Sequence, residues 1–368
     1  MEHPRSTIQQ EPARGFYIDP GQFVAVSGLD LLRGFFDGRM LPPPMHYLCG
    51  LTFTDISTDG AVFTMPASQW LLPPHGVISG AALALLADGP LGCAVQVALP
   101  PATPYTTAEI SMTFLRPVAA DDRPITGTGR LIHAGRTLAV SECTITDADG
   151  NVVALSSTRC VIQRRMDAPK EMVDQALANP PHPVEPEWPT PHPYLRPAEG
   201  EVLPQESWDR MSGLEVLQKC SSGELPAPPI CRLLGVWPTE VDAGRTTWTM
   251  PATEWMCSPV EGRLYGGAIA YVAGNAIDGA FTTLAPPGTA IAPLDLKVYF
   301  TRPVAPDGRD LTARSEITHR GRTLAIGTSE VVDADGKRVA VATASAMLLP
   351  GRPASLSRGI APAEAAEL

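Results

Sequence analysis

The most apolar run of the chain is residues 78–95, ISGAALALLADGPLGCAV, which opens on the small residues Gly80, Ala81, Ala82 and Ala84 and sets one acid, Asp88, among leucines. Such content predicts a buried helix carrying a carboxylate that is costly to bury without a partner. An acid in that setting is held by a cap or partner, kept for chemistry, or turned outward to solvent. Pro90, two residues later, removes an N–H and predicts a kink or an early helix end. Ahead of this run, residues 27–36 (SGLDLLRGFF) predict an amphipathic helix capped by Ser27, with Asp30 three positions on. Residues 51–56 and 61–65 alternate around the turn at 57–60 and predict a hairpin. After the central helix come longer β-type runs at 105–115, 125–133, 137–146 and 152–162, with a turn at Asp147-Ala-Asp-Gly150. One helix within an antiparallel succession predicts an α+β domain, a curved antiparallel sheet wrapped around a central helix.

The pattern occurs twice. Residues 264–281, LYGGAIAYVAGNAIDGAF, repeat the helix 186 positions further on. The same offset carries Phe114, Arg116 and Pro117 onto Phe300, Arg302 and Pro303, and Gly135-Arg136-Thr137 onto Gly321-Arg322-Thr323. Upstream the offset is 185, matching Ser27-Gly28-Leu29 to Ser212-Gly213-Leu214 and Trp70 to Trp255. Between the copies, residues 166–205 are dense in proline and predict an extended, semi-rigid linker with a short helix near 171–178. The expected organisation is a flexible tail at 1–20, domain 1 at 21–165, the linker at 166–205, domain 2 at 206–350 and a second flexible tail at 351–368.

Composition narrows the function. A net charge of -11 argues against nucleic acid or an anionic membrane as the main partner, because both demand a basic face. Seven cysteines, odd in number and seated in apolar runs, read as reduced core residues and point to a cytoplasmic protein. No residues carry metal-ligand spacing, and no nucleotide-binding glycine loop follows a strand.

A Gly-rich helix start, an acid about eight residues into the helix, then Phe-Leu-Arg-Pro-Val, His-x-Gly-Arg-Thr-Leu-Ala and Asp-Ala-Asp-Gly resembles the hotdog-fold thioesterases, more narrowly their phenylacetyl-CoA thioesterase (PaaI-like) branch. The resemblance implies two tandem hotdog domains forming an intramolecular double hotdog. It further implies a site that takes helix N-terminal amides from one domain and an acid from the other. Unpaired amides and the helix dipole favour the negative oxygen that develops in acyl transfer, and the carboxylate serves as base or nucleophile. In the family the helix starts His-Gly-Gly. Copy 1 keeps the acid, Asp88, but has Ser79-Gly80-Ala81; copy 2 has Tyr265-Gly266-Gly267 but Gly274 at the acid position. The copies have lost different parts, so one composite site, Asp88 facing Tyr265, Gly266 and Gly267, is expected to be active. The reciprocal site, Ser79 and Gly80 facing Gly274 and Asn275, is expected to be vestigial.

Other residues enter with two readings each. Asn275 orients water or a carbonyl, or does neither; Asp278 is a displaced acid or an exposed helix acid. His75 replaces the family histidine or is an ordinary loop residue. Arg320 and Arg322 meet coenzyme A phosphates or are solvated arginines of a hairpin, and Trp70 and Trp255 are core or acyl-pocket wall. The expected activity is hydrolysis of an acyl-CoA or acyl-carrier-protein thioester, with coenzyme A as part of the substrate and no other cofactor. The rivals are an acyl-CoA-binding protein without turnover and a hotdog dehydratase. A homodimer of double hotdogs is a plausible assembly.

Overall fold

The computed structural model describes residues 7–354. Its strands are β1 (Thr52–Ile56), β2 (Gly60–Pro66), β3 (Tyr105–Phe114), β4 (Pro124–Ala134), β5 (Leu138–Thr146), β6 (Val152–Ile162), β7 (Trp237–Asp242), β8 (Arg245–Pro251), β9 (Thr289–Phe300), β10 (Asp310–Arg320), β11 (Leu324–Val332) and β12 (Arg338–Pro350). The helices are α1 (Thr7–Gln10), α2 (Pro20–Ala25), α3 (Gly28–Asp37), α4 (Pro44–Cys49), α5 (Gly80–Gln96), α6 (Lys170–Ala178), α7 (Gln205–Arg210), α8 (Gly213–Ser222), α9 (Pro229–Leu234) and α10 (Gly266–Thr282). All strands join one antiparallel sheet of order β1-β2-β4-β5-β6-β3-β9-β12-β11-β10-β8-β7. The two repeats meet edge to edge at β3 and β9, where Ser111 stands opposite Lys297 and Thr113 opposite Asp295. Glu109, buried at this seam, pairs with Lys297 across it at 3.1 Å. The sheet therefore has no internal edge, and α5 and α10 share one hydrophobic core beneath it.

Local chemistry explains the helix starts. Ser27 accepts from the Asp30 amide, and Ser212 with Glu215 closes a full capping box at the equivalent place in the second repeat. Ser79 caps α5 through the Ala82 amide at 3.2 Å. Helix α5 runs unbroken through Pro90 to Gln96, so the expected early end does not occur. Room for the proline comes from β4: its ring lies against Gly127, and a side chain at Gly129 would strike the Pro90 carbonyl.

The expectation of a loose tail at 1–20 fails for residues 7–20. Ile8 is buried, the Gln9 side chain donates to the Leu233 carbonyl at 2.8 Å, and the Trp255 indole donates to the Glu11 carbonyl at 3.1 Å. The end of the linker mirrors this on the other repeat, where the Trp70 indole donates to the Arg196 carbonyl at 2.9 Å. Residues 11–15, EPARG, and 196–200, RPAEG, are thus a further stretch of the duplication. Each arm precedes one domain and packs on the other. Gly15 and Gly200 both hold positive φ (139° and 108°) with prolines pressed against them, where a side chain would clash. At the crossing, Arg196 grips Glu11 bidentately at 2.6 and 2.8 Å. The guanidinium lowers the Glu11 pKa. The linker does contain the helix expected near 171–178, as α6. Of the second expected tail, residues 355–368 lie outside the described residues.

Because the crossing pair is charge-inverted between repeats, Glu11→Arg or Arg196→Glu alone is expected to cost about 1–2 kcal/mol, with most of that restored in the double reversal. Urea midpoints of the four proteins measure it; a double variant no better than the sum of the singles would contradict the pairing.

Candidate active site

Helices α5 and α10 cross antiparallel at very short range. The Ala84 carbonyl lies 2.6 Å from where a side chain on Gly267 would begin, and Ala81 stands 2.9 Å from the same point on Gly274. Only glycine at 267 and 274 permits that approach. The crossing sets the first turn of each helix against the middle of the other.

On one side of the crossing the middle carries Asp88. Its side chain, 9% exposed, accepts the Gly267 amide at 2.9 Å. Tyr265, the residue before α10, makes no capping bond with its own side chain, so a carboxylate from the first repeat caps a helix of the second. Burial raises the Asp88 pKa to about 6, against the lowering pull of the Gly267 and Gly266 amides. The Tyr265 ring reaches back over α5 until its hydroxyl stands beside Gly89, next to the acid. Tyr265 is 6% exposed, and its hydroxyl is buried against Gly89 with no acceptor for its proton. The structure thus brings together all four residues of the expected composite site.

On the reciprocal side Ser79 is occupied with its own helix and Gly80 faces the Phe114 ring. Gly274 is packed against Ala81 and Leu296. Asn275 accepts from the Tyr271 hydroxyl at 3.3 Å, while its amide nitrogen is buried and unpartnered. Asp278 lies one turn further along, half-buried rather than exposed, with its pKa raised by desolvation to about 7. His75 sits in the turn before α5, and burial pushes its pKa down to about 4, so it stays neutral. It belongs to the Ser79 end of α5, roughly 13 Å along the helix from Asp88. Arg320 ends β10, and Arg322 lies in the turn before β11. Arg320 donates to the Leu284 carbonyl beyond the C-terminal end of α10, roughly 25 Å along that helix from Gly266. Trp70 and Trp255, 2% and 1% exposed, are core residues tied to the two arms.

Sequence reasoning missed Tyr105, whose hydroxyl comes within 2.9 Å of where a side chain on Gly92 would begin. It also missed the neighbouring thiol, Cys93, whose pKa is raised by burial and by the Asp88 charge. The legible signal was the pair of glycines, 89 and 92, one turn apart in an otherwise apolar helix. No helix among the described residues is long and apolar enough to cross a membrane.

Comparison with known proteins agrees with this architecture. Residues 75–154 match the family model of the thioesterase superfamily, and residues 253–347 match that of the acyl-CoA thioesterase N-terminal domain. No curated protein matches. Among solved structures, a tesB protein of Mycobacterium avium subsp. paratuberculosis is similar at 16% identity over 83% of this chain and 98% of that one, with a TM-score of 0.49. A thioesterase-like structure from Novosphingobium aromaticivorans matches at 18% identity over 81% and 98%, with a TM-score of 0.47. A phenylacetic acid degradation-related protein from Ralstonia eutropha covers only 36% of this chain, with 98% of its own length, at 30% identity and a TM-score of 0.33. With a thioesterase domain matched in each repeat, the chain belongs to the hotdog-fold thioesterase superfamily, a group of thioester hydrolases, as a tandem of two such domains.

Proposed function

We propose that the chain hydrolyses acyl-CoA thioesters at one site between its two domains, built from Asp88 of the first and Tyr265, Gly266 and Gly267 of the second. The observation that carries this reading is the Asp88–Gly267 contact, a buried carboxylate seated on the amides at a helix start. The thioester carbonyl takes the Gly267 N–H in place of Asp88. The displaced carboxylate then draws a proton from a water molecule as the water attacks. The amide and the helix dipole stabilise the tetrahedral oxyanion. Collapse of that intermediate expels the thiolate of coenzyme A, which takes the proton back from Asp88. Coenzyme A enters only as part of the substrate, and none of these steps draws on a metal or redox cofactor. A carboxylate with a pKa near 6 suits this work, being ionised yet still basic at neutral pH.

Turnover of a panel of short, long and aryl acyl-CoAs, with free coenzyme A read by chromatography, tests the reading. The expected kcat/KM profile falls away below about pH 6, where the base is protonated, and is flat above it. Asp278→Asn is expected to leave the profile in place. Acyl-CoA binding without turnover of any substrate would make the chain a binding protein instead.

A further inference from the structure

The stretch between the core tryptophan and the central helix is one residue longer in the second repeat, Trp255 to Tyr265 against Trp70 to Ser79. In the longer copy residues 257–264 fold back on themselves. Cys257 bridges Leu264, the Ser258 amide donates to the Arg263 carbonyl at 2.9 Å, and the Tyr265 amide donates to the Met256 carbonyl at 2.8 Å. In the first repeat the equivalent bond, from the Ser79 amide to the Leu71 carbonyl, is not made among the described residues. The outer side of residues 253–259 is gripped by the chain that leads into the first domain. Thr253 donates to the side-chain carbonyl of Gln9, the Trp255 indole to the Glu11 carbonyl at 3.1 Å, and the Ile18 amide to the Pro259 carbonyl at 2.9 Å. The Met45 amide donates to the Cys257 carbonyl at 3.4 Å, and the Tyr17 phenol meets the Cys257 thiol. The fold-back ends on Tyr265, Gly266 and Gly267, the helix start that Asp88 caps. The first domain thus reaches that helix start by two routes, one through Asp88 and one through the arm.

We infer that the N-terminal arm positions the candidate active site, with Trp255 as the positioning residue: its indole takes the arm, and the next carbonyl, that of Met256, holds the α10 start against Asp88. This rests on the proposed thioester hydrolysis and adds to it a residue that acts only through the α10 start. An amide that stabilises an oxyanion must stand where the charge develops, and a displacement of a fraction of an ångström weakens it. The duplication supplies the control. The second arm grips the first domain in the same way, with the Trp70 indole on the Arg196 carbonyl at 2.9 Å, the Leu203 amide on the Pro74 carbonyl at 2.9 Å and the Ile230 amide on the Leu72 carbonyl at 3.2 Å. That grip leads only to Ser79, across from which glycine, Gly274, stands at the acid position. The first arm therefore bears on the chemistry and the second on stability.

The test compares Trp255→Phe with Trp70→Phe on the full chain, using the acyl-CoA of the panel that is turned over fastest. Each variant removes one indole N–H from an arm carbonyl, so both are expected to lower the urea midpoint alike. Trp255→Phe is expected to lower kcat about tenfold with KM little changed, and Trp70→Phe to stay within about twofold of the parent. A helix start loosened from Asp88 also withdraws the amides that pull its pKa down, so the acid limb of the kcat/KM profile is expected to move above about pH 6 in Trp255→Phe and not in Trp70→Phe. Cys93 of α5, Tyr105 of β3, Cys160 of β6 and Tyr265 also feel the Asp88 charge; burial keeps all four neutral there and leaves the limb to Asp88. Gln9→Ala, which unties the arm from Thr253 and Leu233 without opening the core, is expected to shift kcat and the limb in the same direction. It stands in should Trp255→Phe fail to fold. Equal losses of kcat in the two tryptophan variants, or an acid limb unmoved in both Trp255→Phe and Gln9→Ala, overturns the inference and leaves Asp88-dependent hydrolysis by the parent intact. No hydrolysis of any thioester by the parent overturns both.

Discussion

Asp88→Asn is expected to abolish thioester turnover and at the same time to stabilise the protein. The loss in kcat should be at least about a hundredfold, since asparagine can accept the Gly267 amide but cannot take a proton from water. The gain follows from linkage. An acid whose pKa is higher folded than unfolded disfavours the fold whenever it is ionised. Taking Asp88 from the ordinary 3.8 to about 6 therefore costs up to about 3 kcal/mol above pH 6, and nothing below about pH 4. The asparagine variant should thus be more stable than the parent by about 1–3 kcal/mol at pH 8, with the difference vanishing at pH 4. Urea unfolding at both values, beside chromatographic assay of released coenzyme A, reads the two effects together. Undiminished turnover removes Asp88 from the chemistry; equal stability at pH 8 means that its carboxylate is not desolvated.

Restoring the missing acid of the reciprocal site, by Gly274→Asp, is expected to unfold the protein rather than create a second centre. A side chain at 274 begins 2.8 Å from Leu296 and 2.9 Å from Ala81, at the tightest point of the helix crossing. A carboxylate there has neither room nor a donor, since Ser79 already takes the Ala82 amide. Overpacking together with an unpaired buried charge should cost about 4 kcal/mol or more. Thermal melting and soluble yield measure this. A variant that folds normally and doubles kcat would show that the second site was lost through one residue alone.

Most of the fold was legible because it is written twice. Periodicity located α3, α5 and the strands of the first copy, and the fixed offset carried them onto the second. The pairing of Asp88 with Gly266 and Gly267 was legible for a related reason: each copy had lost what the other kept, so only one cross-domain combination remained complete. The arms were hidden because the duplication inverts their charges. Glu11 answers Arg196 and Arg14 answers Glu199, a complementarity that reads as mismatch in one dimension. Where the Arg320 hairpin lies relative to Asp88 was not legible, because the antiparallel crossing of α5 and α10 decides which hairpin lies near which helix start, and no local pattern encodes a crossing. Tyr105 was invisible for the same reason. It lies over Gly92 of α5, a contact that only tertiary packing makes.

The crossed arms also set a timetable for synthesis. The Trp255 indole that receives Glu11 is encoded 244 residues after it. At ordinary elongation rates of about 5–20 residues per second, the first arm waits roughly 12 to 50 s on the ribosome before its seat exists. The second arm meets no such delay, because the domain it clasps has already emerged. The second arm therefore closes over Trp70 while the first still lacks Trp255, and Glu11 takes its seat on that indole only after the second domain has emerged.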